Sequence, residues 1–445
     1  MRIAIAALLF DDTTRIGSHR ARSFASELAA LGNEVTVFTP GDRDDASSPF
    51  EGVNVVRLGS YDVRSWPRTG IRGLQHQSAV AVTISPTIVP LMVLRRRSSP
   101  RAHDHIQHLT QQRASSVLRI DELLSAQAWT KSAQEQIEAV YAPSAFDVVF
   151  STFDDLGRAM RASGVARKWI ADFRDAAVAE VFLGPLRFYL AGQQSRTVLD
   201  ADHVTAVSEG VKTSLLAQRK TQSLGEKITV ITNGFTTRVP APPPPPSDPA
   251  PLTLAYTGAI YGRRMRALKT LFSAIGRVLS SGREVEFTYA GRNSAEVEDA
   301  ARQAGIADQV KVLGSVSFEQ SLQIQAADDA LVVLTWNTPE EKGILSGKFL
   351  EYLGADRPIL VIVTGDEPDS ELGRLTREMH VGACFEETQG SADEVALEHW
   401  LLGAADQRAA GKPLTFEPDR RAVDEYNYRE LSKRLLSLMS RIVTE

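Results

Sequence analysis

Apolar residues open the chain in two rhythms. Residues 2–9 form a nearly continuous apolar run of strand length, and Glu34 to Thr39 form another. Between them Phe24, Leu28 and Leu31 recur at helical spacing, which predicts a helix from about Ser18 to Leu31 that Gly32-Asn33 ends. A strand, a helix and a second strand in this order predict a parallel sheet, because the helix must carry the chain back before the next strand begins. Further strands are expected at Val53 to Leu58, Asp147 to Ser151, Lys168 to Asp172, His203 to Val207 and Lys227 to Thr232, with Asn233-Gly234 as a turn.

The pattern stops at Thr237 and resumes at Leu252. Five consecutive prolines, Pro242 to Pro246, lie between. Proline cannot donate to a sheet and favours an extended spacer, so this is the expected linker. The second series predicts strands at Leu252 to Tyr256, Glu284 to Ala290, Val310 to Leu313, Ala330 to Leu334 and Pro358 to Val363. Helices are expected at Ala267 to Ser280, Ala295 to Gly305, Phe318 to Ala326 and around Lys348 to Leu353. The tail from Val423 to Val443 carries Leu431, Leu435, Leu436, Leu438 and Met439 in a helical pattern. The expected organisation is a first α/β domain over 1–238, a linker over 239–251, a second α/β domain over 252–415 and a terminal helical segment over 416–445. Two doubly wound domains would set the carboxyl ends of their parallel strands across one cleft, where ligands of such sheets bind.

Composition narrows the chemistry. A length of 445 residues suits two domains, and 43% hydrophobic with 24% charged residues describes a globular chain. The net charge of −5 gives no general attraction to nucleic acid, and none is expected as a partner. The single cysteine, Cys384, excludes an intrachain disulfide and a cysteine-rich metal site, which fits a reducing cytoplasm. The apolar opening ends at Asp11-Asp12 and is expected to be a buried strand rather than a secretion signal. A second apolar run, Ala79 to Leu94, is broken by Pro86 and Pro90, so no transmembrane helix is expected there. Arg95, Arg96, Arg97 and Arg101 follow it; an apolar surface beside a basic cluster suits peripheral contact with an anionic membrane, and a buried segment with a solvated loop suits it equally.

The densest chemistry lies in Lys342-Gly343-Ile344-Leu345-Ser346-Gly347-Lys348-Phe349-Leu350-Glu351-Tyr352, followed by Pro358-Ile359-Leu360. Lys348 and Glu351 are three residues apart and share a helix face. The cation suits a phosphate and the carboxylate suits a ribose diol, while backbone N–H groups near Gly343, Ile344 and Leu345 suit a diphosphate. Taken alone, such a Lys-x-x-Glu pair is usually an exposed ion pair. A second loop, Tyr256-Thr257-Gly258-Ala259-Ile260-Tyr261-Gly262-Arg263-Arg264, follows a strand and brings two guanidinium groups to the same domain. In the first domain Asp172-Phe173-Arg174-Asp175 ends a strand, a place from which charged groups can orient an acceptor hydroxyl or simply pair with each other. Arg15-Ile16-Gly17-Ser18-His19-Arg20 supplies a glycine for close approach, a candidate helix cap in Ser18 and, in His19, a group that can serve as a catalytic base, although a lone histidine on a helix is usually structural or solvated.

These segments resemble the GT-B glycosyltransferases of family 4, whose members often read K-G-x-x-x-x-K-x-x-E-Y-x-x-x-x-x-P-I-L, Y-T-G-x-x-Y-G-x-R and D-F-R-D-x-W. The resemblance is strongest from Tyr256 to Leu360. It implies two Rossmann-like domains facing a cleft, a terminal helix that crosses back to the first domain, and transfer of a sugar with retention from a nucleotide diphosphate sugar to an acceptor hydroxyl. It implies Arg264 and Lys348 as the catalytic cations. Gly258, Arg263, Gly343, Ile344, Leu345 and Glu351 would line the donor site, and Gly17, Asp172, Arg174 and Asp175 the acceptor side. It implies no metal and no cofactor beyond the donor substrate, and it favours surface polysaccharide or glycolipid assembly. The sequence departs from the pattern twice: the family's first donor-site glutamate falls on Gly343, with Glu340 and Glu341 just upstream, and Ala177 stands where the tryptophan is expected. Two alternatives follow, a nucleotide-sugar epimerase and a noncatalytic assembly protein that keeps the fold. Asp200-Ala201-Asp202 is formally a metal-diphosphate motif of a different glycosyltransferase fold, but it precedes a first-domain strand and is expected to be a surface cap.

Overall fold

The computed structural model describes residues 1–11, 16–41, 50–59, 129–152, 155–174, 185–236, 249–260, 262–339 and 344–445. The proline run, the apolar and basic segment 79–101, Asp175, Glu340, Glu341 and Gly343 lie outside them.

The first sheet has seven parallel strands in the order β3-β2-β1-β4-β5-β6-β7: β1 (Arg2–Ala7), β2 (Glu34–Thr39), β3 (Asn54–Arg57), β4 (Phe146–Thr152), β5 (Ala166–Phe173), β6 (His203–Ala206) and β7 (Ile228–Val230). The second has six in the order β10-β9-β8-β11-β12-β13, again all parallel: β8 (Leu252–Thr257), β9 (Val285–Ala290), β10 (Val310–Val312), β11 (Ala330–Trp336), β12 (Ile359–Thr364) and β13 (Gly382–Glu386). In both, the order reverses beside the first strand, which creates a crevice at the carboxyl ends of β1 and β4 and of β8 and β11. Central strands read as continuous apolar runs because helices cover both faces; Ile359 to Val363 are all buried.

The helices include α1 (Ile16–Ala30), α2 (Glu209–Leu216), α3 (Arg263–Ser280), α4 (Phe318–Ala327), α5 (Gly347–Tyr352), α6 (Glu371–Glu378), α7 (Ser391–Ala409) and α8 (Tyr428–Thr444). On α3 the buried residues Leu268, Leu271, Phe272, Ile275 and Val278 form one stripe at helical period against the second sheet. Ser317 starts α4 with a capping box: its hydroxyl accepts from Gln320 N–H at 3.1 Å and the Gln320 side chain accepts from Ser317 N–H at 2.9 Å. That cap fixes where Phe318 and Gln325 point.

The terminal helix α8 crosses back as expected. Leu431, Leu435, Leu438, Met439 and Ile442 pack with Ile3, Ile5, Phe24 and Leu28 in the first domain's core. The chain passes between the cores twice, and the two passages are joined: Phe235 N–H donates to Tyr426 carbonyl at 3.1 Å and Tyr428 N–H to Phe235 carbonyl at 2.9 Å. A Cβ at Gly234 would lie 2.2 Å from the Tyr426 carbonyl oxygen, so only glycine permits this approach. A third link is Glu371, at the start of α6, which accepts hydrogen bonds from the backbone of Glu209 and Gly210 at the start of α2.

Among the elements with no counterpart placed from the sequence are β13, α2, α6 and α7. Arg263 and Arg264, expected in a loop, form the first turn of α3. Ser18 is a buried residue inside α1 rather than its cap, since the helix begins at Ile16. Among the described residues no helix is long and apolar enough to cross a membrane.

Candidate functional site

Lys348 and Glu351 lie on α5, just beyond the carboxyl edge of β8 and β11. The Lys348 ammonium donates to both oxygens of Glu351 at 2.9 Å. Both side chains are partly accessible, 14% and 20% exposed, so the pair is neither sealed nor freely solvated. Gln325 of α4 donates to the same carboxylate at 2.6 Å and to the Thr257 hydroxyl at 3.0 Å. Thr257 N–H donates in turn to the Tyr352 hydroxyl at 2.9 Å. Tyr352 is fully buried, and burial pushes its phenol well above the ordinary range, so it stays neutral and serves as a fixed strut. This network locks α5 onto the end of β8 and holds Glu351 in one orientation.

Gly258 follows β8 with φ +148°, and a Cβ there would sit 3.2 Å from Lys348 Cε. Its missing side chain lets the lysine stem lie across the strand end. Ile344 is half-buried, whereas Leu345 turns its side chain into the core around Phe349 and Val363, leaving only backbone for a ligand. The Arg264 guanidinium lies 5.5 Å from the centre of the Trp336 ring at the end of β11, a cation–π contact that orients it at this edge of the sheet. Asn337 ties the loops after β11 and β12 together by donating to the carbonyls of Glu367 at 3.0 Å and Pro368 at 3.1 Å.

The first domain meets this cluster through His19. Its ring centre is 4.7 Å from that of Phe318 on α4. Burial holds the imidazole below its ordinary pKa; Glu351 opposes the shift while Lys348 and Arg22 add to it. A residue of α1 therefore sits in the field of the second domain's ion pair.

Asp172 has a different setting. It is 1% exposed and bonded twice to Arg20, at 2.8 Å from Nε and 2.8 Å from Nη2, and once by the Thr205 hydroxyl at 2.6 Å. Arg20 also donates to the carbonyls of Ile231 at 2.8 Å and Thr232 at 2.6 Å, where the chain leaves the first domain. Asp172 is thus enclosed in a buried node and does not face the open cleft. Arg174, half-buried, is the neighbouring group nearer the surface, and Gly17 lies in the first turn of α1. The expected donor-side residues Gly258, Arg264, Lys348 and Glu351 gather at one end of the second sheet, with Arg263 beside Arg264 at the start of α3.

Sequence reasoning assigned nothing to Arg20, Gln325, Trp336 or Tyr352. Of these, only Tyr352 had a legible signal, as the residue after Glu351. Asp200 and Asp202 are engaged in ion pairs, with Arg158 at 3.2 Å and Arg161 at 2.8 Å respectively. Among the described residues no group of three His, Cys, Asp or Glu is arranged to hold a metal ion.

No protein-family model matches the sequence, and no curated protein does. Solved structures do match its fold. A sucrose-phosphate synthase from Thermosynechococcus elongatus superposes with a TM-score of 0.63 at 14% identity, covering 100% of this chain and 99% of that one. A glycosyltransferase from Rickettsia africae ESF-5 gives 0.57 at 12% identity, covering 100% and 99%. The lipopolysaccharide outer core galactosyltransferase WaaB in its apo form gives 0.54 at 14% identity, covering 99% and 100%. The fold is GT-B: two parallel α/β domains, with the terminal helix returned to the first.

Proposed function

We propose that this chain is a retaining glycosyltransferase that moves a sugar from a nucleotide diphosphate donor to an acceptor hydroxyl. The observation that carries the proposal is the Lys348–Glu351 pair, partly open at the carboxyl end of the second sheet, pressed onto Gly258 and facing the first domain. With donor bound, Lys348 turns to the diphosphate and Glu351 accepts hydrogen bonds from the ribose diol. Arg264, with Arg263 beside it, adds positive charge where the leaving diphosphate develops negative charge. Basic side chains then do the work of a divalent cation, and the reaction is metal-independent. No nucleophilic side chain announces itself among the candidate residues, which favours departure and attack on the same face of the sugar, with the leaving phosphate taking the acceptor's proton.

Several of the structural neighbours are named as glycosyltransferases, and WaaB as one of the lipopolysaccharide outer core. This supports a family 4-like, hexosyltransferase-type enzyme of surface polysaccharide or glycolipid assembly, working in the cytoplasm at the membrane face. The test is turnover with UDP- and GDP-sugars in the presence of EDTA, with the anomeric configuration of the product determined by NMR. The proposal expects an anomer that matches the donor and no response to added manganese or magnesium. An inverted product or a metal requirement contradicts it.

A further inference from the structure

The geometry points to His19 as the first domain's hydrogen-bond donor to the bound diphosphate, so that binding a nucleoside diphosphate draws a proton onto His19. This rests on the donor site proposed above. His19 is on α1, yet its ring packs against Phe318 of α4 in the other domain at 4.7 Å, which fixes it over the cleft rather than in solvent. Among the described residues, the groups whose charges bear on the ring are Arg22 from its own helix and Lys348 and Glu351 from α5; from α4 it meets the apolar Phe318 ring.

In the unliganded chain the Lys348–Glu351 pair is internally neutralised, and burial keeps the imidazole uncharged near neutral pH. A diphosphate at Lys348 adds at least two negative charges beside the ring without adding a compensating cation. The field then favours imidazolium, and a charged imidazolium makes the stronger hydrogen bond to a phosphate oxygen. The proton comes from buffer and is bound at one ring nitrogen; no covalent bond is made or broken. By linkage, diphosphate affinity must rise as pH falls towards 6.

Calorimetric titration of UDP and of GDP into the full chain, at pH 6.5 and 8.0 in two buffers of different ionisation enthalpy, counts the protons taken up. The same titrations on His19→Gln and on His19→Phe, which keeps a ring against Phe318, cancel the nucleotide's own ionisation. The inference expects extra proton uptake by the parent at pH 6.5 that both variants lose, with affinity at that pH reduced about tenfold and affinity at pH 8.0 nearly unchanged. Equal proton counts in parent and variants overturn it while leaving the donor site standing. Failure of the parent to bind either nucleotide overturns the donor site, and this inference with it.

Discussion

Arg20–Asp172 and Lys348–Glu351 are both ion pairs in which one cation serves two carboxylate oxygens, and both stand at the carboxyl ends of parallel sheets. They differ in what surrounds them. The first pair is 1% and 0% exposed, and its remaining hydrogen-bonding capacity is taken by Thr205 and by the carbonyls of Ile231 and Thr232. The second is 14% and 20% exposed, and among the described residues Gln325 is its third partner. A charge pair sealed on every side can only hold structure, because no ligand reaches it and breaking it strands a buried charge. A half-open pair on a rigid base can exchange one partner for a ligand at modest cost. The same chemistry thus anchors the first domain to the interdomain passage and, in the second, leaves a pair open to exchange.

The contrast is broken most directly by cutting the sealed pair. Arg20→Ala or Asp172→Ala should destabilise the fold by about 3–5 kcal/mol, seen as a lower urea midpoint. A loss below about 1 kcal/mol would mean the node is not structural. Lys348→Ala is expected to leave the urea midpoint almost unchanged while turnover drops about 10²-fold, more than donor affinity does, and Arg264→Ala should behave alike. Steady-state kinetics beside the melting curve separates the two effects. Glu351→Gln should weaken donor binding by about 1–3 kcal/mol in calorimetry with little change in folding.

How far these pairs were legible follows from sequence distance. Lys348 and Glu351 are three residues apart and declare a shared helix face, so the open pair could be read directly. Arg20 and Asp172 are 152 residues apart, and nothing local tells that a helix arginine and a strand-end aspartate meet; only the assembled β1–β4–β5 order brings α1 against β5. The acceptor-side expectation for Asp172 rested on its place at a strand's carboxyl end and on the family resemblance, neither of which reveals the buried partner Arg20. Gln325 was hidden for the same reason, 26 residues from Glu351 on another helix. Among secondary elements, the central strands announced themselves by long apolar runs. β13 did not, because Gly382-Ala383-Cys384-Phe385-Glu386 is an edge strand whose side chains are only partly buried. Arg263 and Arg264 were misplaced into a loop because charged residues mark no boundary when a helix begins on glycine.

A smaller effect sharpens the comparison from the sealed side. His203 on β6 is 6% exposed, with its ring 2.9 Å from the Thr229 hydroxyl on β7. Burial, aided by Arg441 and Lys227, lowers its pKa to about 4. The unfolded chain therefore binds a proton near pH 6.5 that the folded chain refuses, and stability present above that pH is lost as pH falls towards 4. At pH 5.5 the loss from this residue should be about 1 kcal/mol, and His203→Gln should flatten the stability profile between pH 6.5 and 5. A profile identical to the parent's would remove His203 as its cause.

The central claim is that the half-open pair exchanges a partner for the donor. The structure of the chain with a bound nucleotide diphosphate sugar tests it directly. The account predicts that Lys348 leaves Glu351 for a phosphate oxygen, that the Glu351 carboxylate, still held by Gln325, accepts from both ribose hydroxyls, and that Arg264 faces the diphosphate. A donor bound elsewhere, with Lys348 and Glu351 still joined at 2.9 Å, would contradict it.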